Sequence, residues 1–241
     1  MIRVLVPPGS LAVGREVELD ESEGRHLDVR RLRDGDGAEA LDGRGGVGTG
    51  ILTRRGKGWQ FATQIAFLEP EPSPTIIAVG AGDRDRFLWL AEKATELGAT
   101  RVIPLETMTV RGVESRVRDG TVDKARRRAR EACKQSGNAW IPLVDDVRSV
   151  EGFAASFPGV RWFLADKSGG ACGPIGVQEP VGWLIGPESG FGLHDIEVID
   201  NVLKPDRVAL ARHMLRFETA ALAALAITEQ QRLIALKRRT G

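Results

Sequence analysis

Glu69-Pro70-Glu71-Pro72-Ser73-Pro74 divides the 241-residue chain in two. Alternating prolines lock φ and remove backbone donors, so the stretch can enter neither a helix nor a central strand. It reads as an extended, semi-rigid spacer at 71–74 between a domain at 1–70 and a domain at 75–241. The two sides follow different periodicities. Before the prolines lie short apolar runs, Ile2 to Val6, Glu16 to Leu19, Ala38 to Leu41, Val47 to Leu52 and Trp59 to Phe67, separated by glycine and charge. Such runs predict a small barrel or sandwich, with one helical turn at Ser22 to Arg31.

After the prolines, strand and helix alternate. Thr75 to Val79 reads as a strand and Gly80-Ala81-Gly82-Asp83 as a turn whose carboxylate caps a helix. Phe87, Leu90, Ala91, Ala94 and Leu97 then mark a helical face that Gly98 stops, and Arg101 to Leu105 is the next strand. This βαβ unit predicts an α/β domain with a parallel sheet. A capped amphipathic helix accounts for Glu92 and Glu96 better than catalysis does.

The most informative stretch is Val181 to Leu193. Val181 to Ile185 fits a buried strand, Gly186-Pro187-Glu188-Ser189-Gly190-Phe191-Gly192 is a loop, and His194 to Leu203 carries Ile196, Ile199, Val202 and Leu203 at helical spacing. Glycines let a backbone approach a ligand closely, and a helix start leaves free amide donors. The spacing is neither a dinucleotide fingerprint nor a phosphate loop, and a tight structural turn explains it equally well. Arg161 to Ala165 and Arg207 to Leu210 are further strands. In an open parallel sheet ligands bind beyond the carboxyl ends of strands, so the loops after Ala165, Ile185 and Leu210 can converge on one pocket. Asp166 in the first of them either contacts a ligand or caps the turn.

Charge excludes a globally basic nucleic-acid binder, because the net charge is only +1. An RNA partner must meet local patches. Between Arg111 and Lys134 nine Lys/Arg stand against four Asp/Glu. There Val122, Ala125, Ala129, Ala132 and Cys133 hold one helical face, and Arg126, Arg127, Arg128 and Arg130 fan around the rest, as a solvated surface or as phosphate contacts. Arg25, Arg30, Arg31 and Arg33 form a second cluster that favours RNA contact. Arg54, Arg55 and Lys57 form a further basic group with Trp59 close behind, as a stacking aromatic would be, or else are solvated hairpin charges; Trp59 itself reads as core. Cys133 and Cys172 lack metal-ligand spacing and read as free thiols; three histidines make a metal site improbable. With neither a signal-peptide core nor an apolar run of transmembrane length, a cytoplasmic location and no membrane partner are expected.

Two motifs together resemble a known family. Gly186-Pro187-Glu188-Ser189-Gly190-Phe191 is similar to a Gly-Pro-Glu-Gly-Gly-Phe signature, and Leu210 to Ala220 to Leu-Gly-x-Arg-Ile-Leu-Arg-x-Glu-Thr-Ala. Both belong to the RsmE family, 16S ribosomal RNA (uracil-N3)-methyltransferases of the SPOUT class. Arg25 to Asp36, Glu92 to Gly98 and Glu131 to Gly137 resemble further elements of that family, so the resemblance covers nearly the whole chain. It implies an N-terminal PUA-like RNA-binding barrel and a C-terminal SPOUT domain with a deep trefoil knot. It further implies S-adenosylmethionine as cofactor, no metal, 16S ribosomal RNA or the small ribosomal subunit as partner, and a homodimer through the C-terminal domain. The last helix, apolar on every side from Ala220 to Ile227, fits that pairing.

Mapped onto this sequence, the cofactor-binding residues are Leu164, Ala165, Asp166, Ile185, Gly186, Pro187, Glu188, Gly190, Leu210, Ala211, Met214 and Leu215. The RNA-binding residues are Arg25, Arg30, Arg31, Arg33, Arg126, Arg127 and Arg130. Arg216 is the first catalytic candidate, as a cation near the uracil carbonyl oxygens; its alternative is a brace to Glu218 or Glu188. His213 is the second and stands where the motif has its first arginine. Ala211 and Ser189 replace glycines, and a positive φ at Ser189 would store strain. Other readings are a SPOUT enzyme acting on a transfer RNA base or ribose, and a non-catalytic RNA-binding assembly factor.

Overall fold

The structure, a computed structural model, describes residues 1–109, 112–113 and 117–240. Two compact units form: Met1–Glu71 with Arg130–Ile141, and Pro72–Ala129 with Pro142–Gly241.

In the first unit β1 (Ile2–Leu5), β2 (Glu16–Glu18), α1 (Glu21–Val29), β3 (Gly37–Leu41), β4 (Gly46–Arg55) and β5 (Gly58–Leu68) follow the expected runs closely. The strands pair in the order β1-β3-β4-β5-β2, antiparallel except for β1 with β3. Val4 from one edge strand, Val17 from the other, Leu27 of α1 and Leu52, Trp59 and Phe61 share one buried core, so the sheet wraps around it. Trp59 is core, as expected, and its indole donates to Asp28 while Arg54 stacks on its ring.

Residues 130–141 group with this unit and not with the chain that precedes them. Ala139, Trp140 and Ile141 pack with Leu5, Leu41 and Val47, and Lys134 makes a 2.8 Å ion pair with Glu23 in which both side chains are buried. One boundary therefore falls between Glu71 and Pro72, in the proline-rich stretch, and another inside a helix, between Ala129 and Arg130, where no composition change marks it.

The second unit contains β6 (Thr75–Gly80), α2 (Arg84–Glu96), β7 (Arg101–Glu106), β8 (Met108–Thr109), β9 (Gly112–Val113), α3 (Asp119–Ser136, whose last turns group with the first unit), β10 (Leu143–Val144), β11 (Arg148–Ser149) and α4 (Val150–Ala154). β12 (Arg161–Gly170), β13 (Val181–Ile185), α5 (Leu193–Val198), β14 (Asp206–Val208) and α6 (Phe217–Thr240) complete it. The basic excess counted from Arg111 lies partly outside the described residues, at Arg111, Glu114 and Arg116. Among the described residues seven strands form one parallel sheet, ordered β10-β7-β6-β13-β12-β14 with β11 also on β7.

Both faces of this sheet are covered, which explains why its strands are nearly all apolar. Ile77 and Val79 of β6 meet Phe87, Leu90 and Ala91 of α2, Val122 and Ala125 of α3, and Ala221 and Leu225 of α6. Ile76 and Ala78 point the other way, toward Val150 and Phe153 of α4 and Ile199. Asp83 caps α2 by accepting from the Arg86 amide, as its position predicts. The stretch read as one helix from His194 to Leu203 is instead α5 followed by a π turn, Ile199–Leu203, ending at Lys204 with φ of 47°. Widening the helix there leaves Val202 exposed.

Candidate active site

β13 lies between β6 and β12, and β12 between β13 and β14, all parallel. Parallel neighbours end at the same edge of a sheet. Leu164 is in register with Leu184 on one side and Arg207 on the other, and Ala165 with Val208. The segments that follow must therefore meet, although they are far apart in sequence. They enclose a cavity of about 370 Å³ lined by residues of β12, the β13 loop, α5, β14 and the start of α6.

Leu164, Ala165, Asp166, Ile185, Gly186, Pro187, Glu188, Gly190, Leu210, Ala211, Met214 and Leu215 all line this cavity. His213 does so as well; Arg216 does not. The apolar wall is completed by Phe191, Ile196, Phe217 and Ala220, and the polar one by Lys167, Ser189 and Arg207. A mostly apolar cavity with a few fixed polar groups suits a small organic ligand whose polar groups fix its orientation.

Each wall has a local cause. β12 continues to Gly170, beyond the expected end at Ala165, because Ala165 and Gly170 both pair with Val208. The four residues between them are extruded as a bulge, which carries Asp166 and Lys167 into the cavity wall. β14 in turn ends at Val208, two residues before the expected Leu210. In the loop after β13 the Gly190 amide closes a turn on Pro187 at 2.8 Å, with φ of 80° at Gly190. That left-handed residue is the glycine, and Ser189 has no positive φ, so the condition under which serine would store strain there is not met. Gly80, at the end of β6, abuts Pro187 so closely that a Cβ there would lie 2.7 Å from its Cδ.

Ion pairs hold these walls. Arg207 donates to Asp166 at 2.8 Å and, through its other nitrogen, to both oxygens of Asp200 at 2.9 and 2.7 Å. Asp166 also accepts from the Ser168 hydroxyl at 2.7 Å and the Ser168 amide at 2.8 Å. The Ser168 hydroxyl and amide, with Arg207, hold its carboxyl below the usual aspartate value. Asp166 thus caps its turn and lines the cavity at once. Arg86 at the start of α2 pairs with Glu188 at 3.1 Å and lies 3.7 Å from Glu218.

That last contact corrects the bracing role considered for Arg216. The partners assigned to it, Glu188 and Glu218, are held by Arg86. Arg216 is exposed and has no side-chain partner among the described residues. Sequence reasoning missed Arg86 and Arg207. Arg207 was legible as a charged residue near the carboxyl end of a strand in this edge of the sheet, whereas Arg86 lies 102 residues from Glu188 with no local signal.

The basic clusters separate into used and unused groups. Arg30, Arg31 and Arg33 are exposed without an ion-pair partner among the described residues, and Arg25 has only a long 3.8 Å pair with Glu21. Arg126 is committed to the fold, donating to the Val144 carbonyl, Asp123 and Asp146. Arg128 pairs with Glu92, while Arg127 and Arg130 are exposed without such a partner. No group of metal-ligating residues occurs among the described residues, and no described helix is long and apolar enough to cross a membrane.

Known proteins resemble this chain along most of its length. Residues 69–229 match the RNA methyltransferase domain model, and residues 19–58 match the RNA methyltransferase PUA domain model. Ribosomal RNA small subunit methyltransferase E of Synechocystis sp. is 27% identical over 235 residues, covering 93% of this chain and 76% of that protein. The protein of that name from Rickettsia conorii is 22% identical over 225 residues, 90% of each chain. The crystal structure of a ribosomal RNA small subunit methyltransferase E from Neisseria gonorrhoeae bound to S-adenosyl methionine has the same fold. It matches with a TM-score of 0.83 at 24% identity, covering 95% of this chain and 97% of that one.

Proposed function

The chain belongs to the RNA methyltransferase family, and from that membership we propose that it methylates uracil N3 of a specific uridine in 16S ribosomal RNA, using S-adenosylmethionine. The observation that carries this reading is the single cavity in which Gly186-Pro187-Glu188-Ser189-Gly190 and Leu210 to Leu215 meet, the two segments whose sequences resemble the RsmE signatures. Its residues suit the cofactor. Apolar walls at Ile185, Leu210 and Leu215 accept an adenine ring, and the carboxylates of Asp166 and Glu188 offer acceptors for hydroxyl and amino groups.

When bound, the cofactor supplies an electrophilic methyl group, so the protein's part is alignment and charge. Uracil N3 carries a proton at neutral pH, and its loss spreads negative charge onto the neighbouring carbonyl oxygens. Arg216, exposed and without an ion-pair partner among the described residues, is the cation we assign to those oxygens; His213, in the cavity wall, is the alternative. Arg25, Arg30, Arg31 and Arg33 of the barrel, with Arg127 and Arg130, are the proposed phosphate contacts. The same reading includes the trefoil knot of the SPOUT class, a cytoplasmic location and a homodimer through the second unit. Trp89 of α2 and Leu233 and Leu236 of α6, all about half exposed on two helices that pack together, support the last of these.

Nucleoside mass spectrometry of small-subunit RNA tests the proposal. A strain lacking the protein should lose 3-methyluridine and regain it on complementation. Loss of a different methylated nucleoside would assign another RNA base or ribose to the same fold, and no loss would favour an assembly role.

A further inference from the structure

We propose that Arg86 is a positioning residue that sets cofactor affinity by strapping the loop after β13 to the start of α6. The inference rests on the proposed S-adenosylmethionine site, of which Arg86 is no part: its side chain does not line the cavity. Two walls depend on it. Glu188, which does line the cavity, is joined to Arg86 Nη1 at 3.1 Å, and Glu218 lies 3.7 Å from Arg86 Nε between Phe217 and Ala220, both wall residues. Arg86 itself is anchored, because its amide is the one that Asp83 caps and its helix follows the end of β6.

The Glu218 carboxylate makes the strap necessary. Its side chain is only 8% exposed, and among the described residues its Oε2 has no hydrogen-bond partner and Arg86 is the cation beside it. A buried carboxylate without a cation is costly, so removing the guanidinium drives Glu218 toward solvent or water toward Glu218. Either movement displaces the first turn of α6, and with it Phe217 and Ala220. At the other end, a freed Glu188 lets the turn between Pro187 and Gly190 move off Gly80. One cation facing two carboxylates also leaves this edge of the cavity net negative. Charge and positioning therefore predict opposite results for removal of Arg86. If Arg86 acted only through its charge, its loss would favour the sulfonium form of the cofactor over the uncharged demethylated product, since the edge becomes more negative. If it acts as a strap, both ligands lose affinity alike.

Calorimetric titration of the full chain with S-adenosylmethionine and with S-adenosylhomocysteine separates these cases, with Arg86→Gln, Glu188→Gln and the double variant. For Arg86→Gln we expect about fivefold weaker binding of both ligands, as befits a half-exposed pair. The double variant should be weakened by less than the two single effects combined, because both substitutions break the same link, while Glu188 also faces the ligand directly. Arg86→Lys, which keeps the charge and loses the fork, should recover part of the affinity. Methylation assays should show the cofactor KM rising more than kcat falls. Unchanged affinity in a folded Arg86→Gln protein, or a gain confined to the sulfonium ligand, would overturn the strap while leaving the cofactor site intact. Thermal melts and circular dichroism guard against misfolding, and Glu218→Gln, whose side chain does not line the cavity, tests the other end of the strap if Arg86→Gln fails to fold. Wild-type protein that binds neither ligand would overturn the cofactor reading as well.

Discussion

Arg207 donates to Asp166 at 2.8 Å and so ties the end of β14 to the bulge in β12 that carries Asp166 and Lys167 into the cavity wall. The Ser168 hydroxyl and amide, together with Arg207, hold the Asp166 carboxyl below its ordinary value. A group whose folded pKa is lowered adds stability that is fully present above its unfolded pKa and is lost as pH falls through the folded one. The thermal midpoint of the wild type should therefore exceed that of Asp166→Asn at neutral pH. The difference should hold down to about pH 4, the unfolded aspartate value, and close below it. A constant difference down to pH 2 would mean that the ion pair does not carry it.

Arg216→Ala should lower the single-turnover methylation rate about a hundredfold, the usual consequence of losing one donor to a developing oxyanion. Affinity for S-adenosylmethionine should change little, because Arg216 lies outside the cavity wall and makes no ion pair among the described residues. A wild-type rate with saturating cofactor and RNA would move attention to His213.

Arg126 and Arg127 are neighbours on α3 with opposite expectations. Arg127→Ala should weaken RNA binding and reduce its salt slope by about one contact, with no change in stability. Arg126→Ala should instead lower stability by about 1 kcal/mol, since it removes links to Val144, Asp123 and Asp146 on a partly exposed surface. Equal effects of the two on the salt slope would contradict this division.

Lys134→Ala leaves Glu23 buried without its cation, which should cost about 3 kcal/mol in urea unfolding. Replacing both by apolar residues of similar size should cost much less, because neither charge then has to be desolvated. If the double replacement is as damaging as the single, the pair is not the source of the loss.

Leu233→Asp with Leu236→Asp should convert the proposed homodimer to monomers in sedimentation at micromolar concentration. Wild-type protein that sediments as a monomer would remove the basis for the dimer.

What the sequence determined by itself is whatever short-range pattern encodes. Val181–Ile185 is a strand with the expected bounds because four apolar residues around Gly182, stopped by Gly186, have few alternatives in a covered sheet. Asp83 and Gly98 bracket α2 because a cap and a left-handed stop act on their immediate neighbours. The cavity residues were legible one segment at a time, through motifs that resemble a family. Only the tertiary structure decided which strands are neighbours, and hence that three distant segments share one edge. It also gave Glu188 and Glu218 to Arg86 and not to Arg216, moved residues 130–141 into the first unit, and committed Arg126 to the fold. The reason is physical. Periodicity and capping depend on residues within one or two turns, whereas an ion pair across 102 residues depends on where chain closure places each charge. Many arginines could satisfy a given carboxylate, and packing selects one.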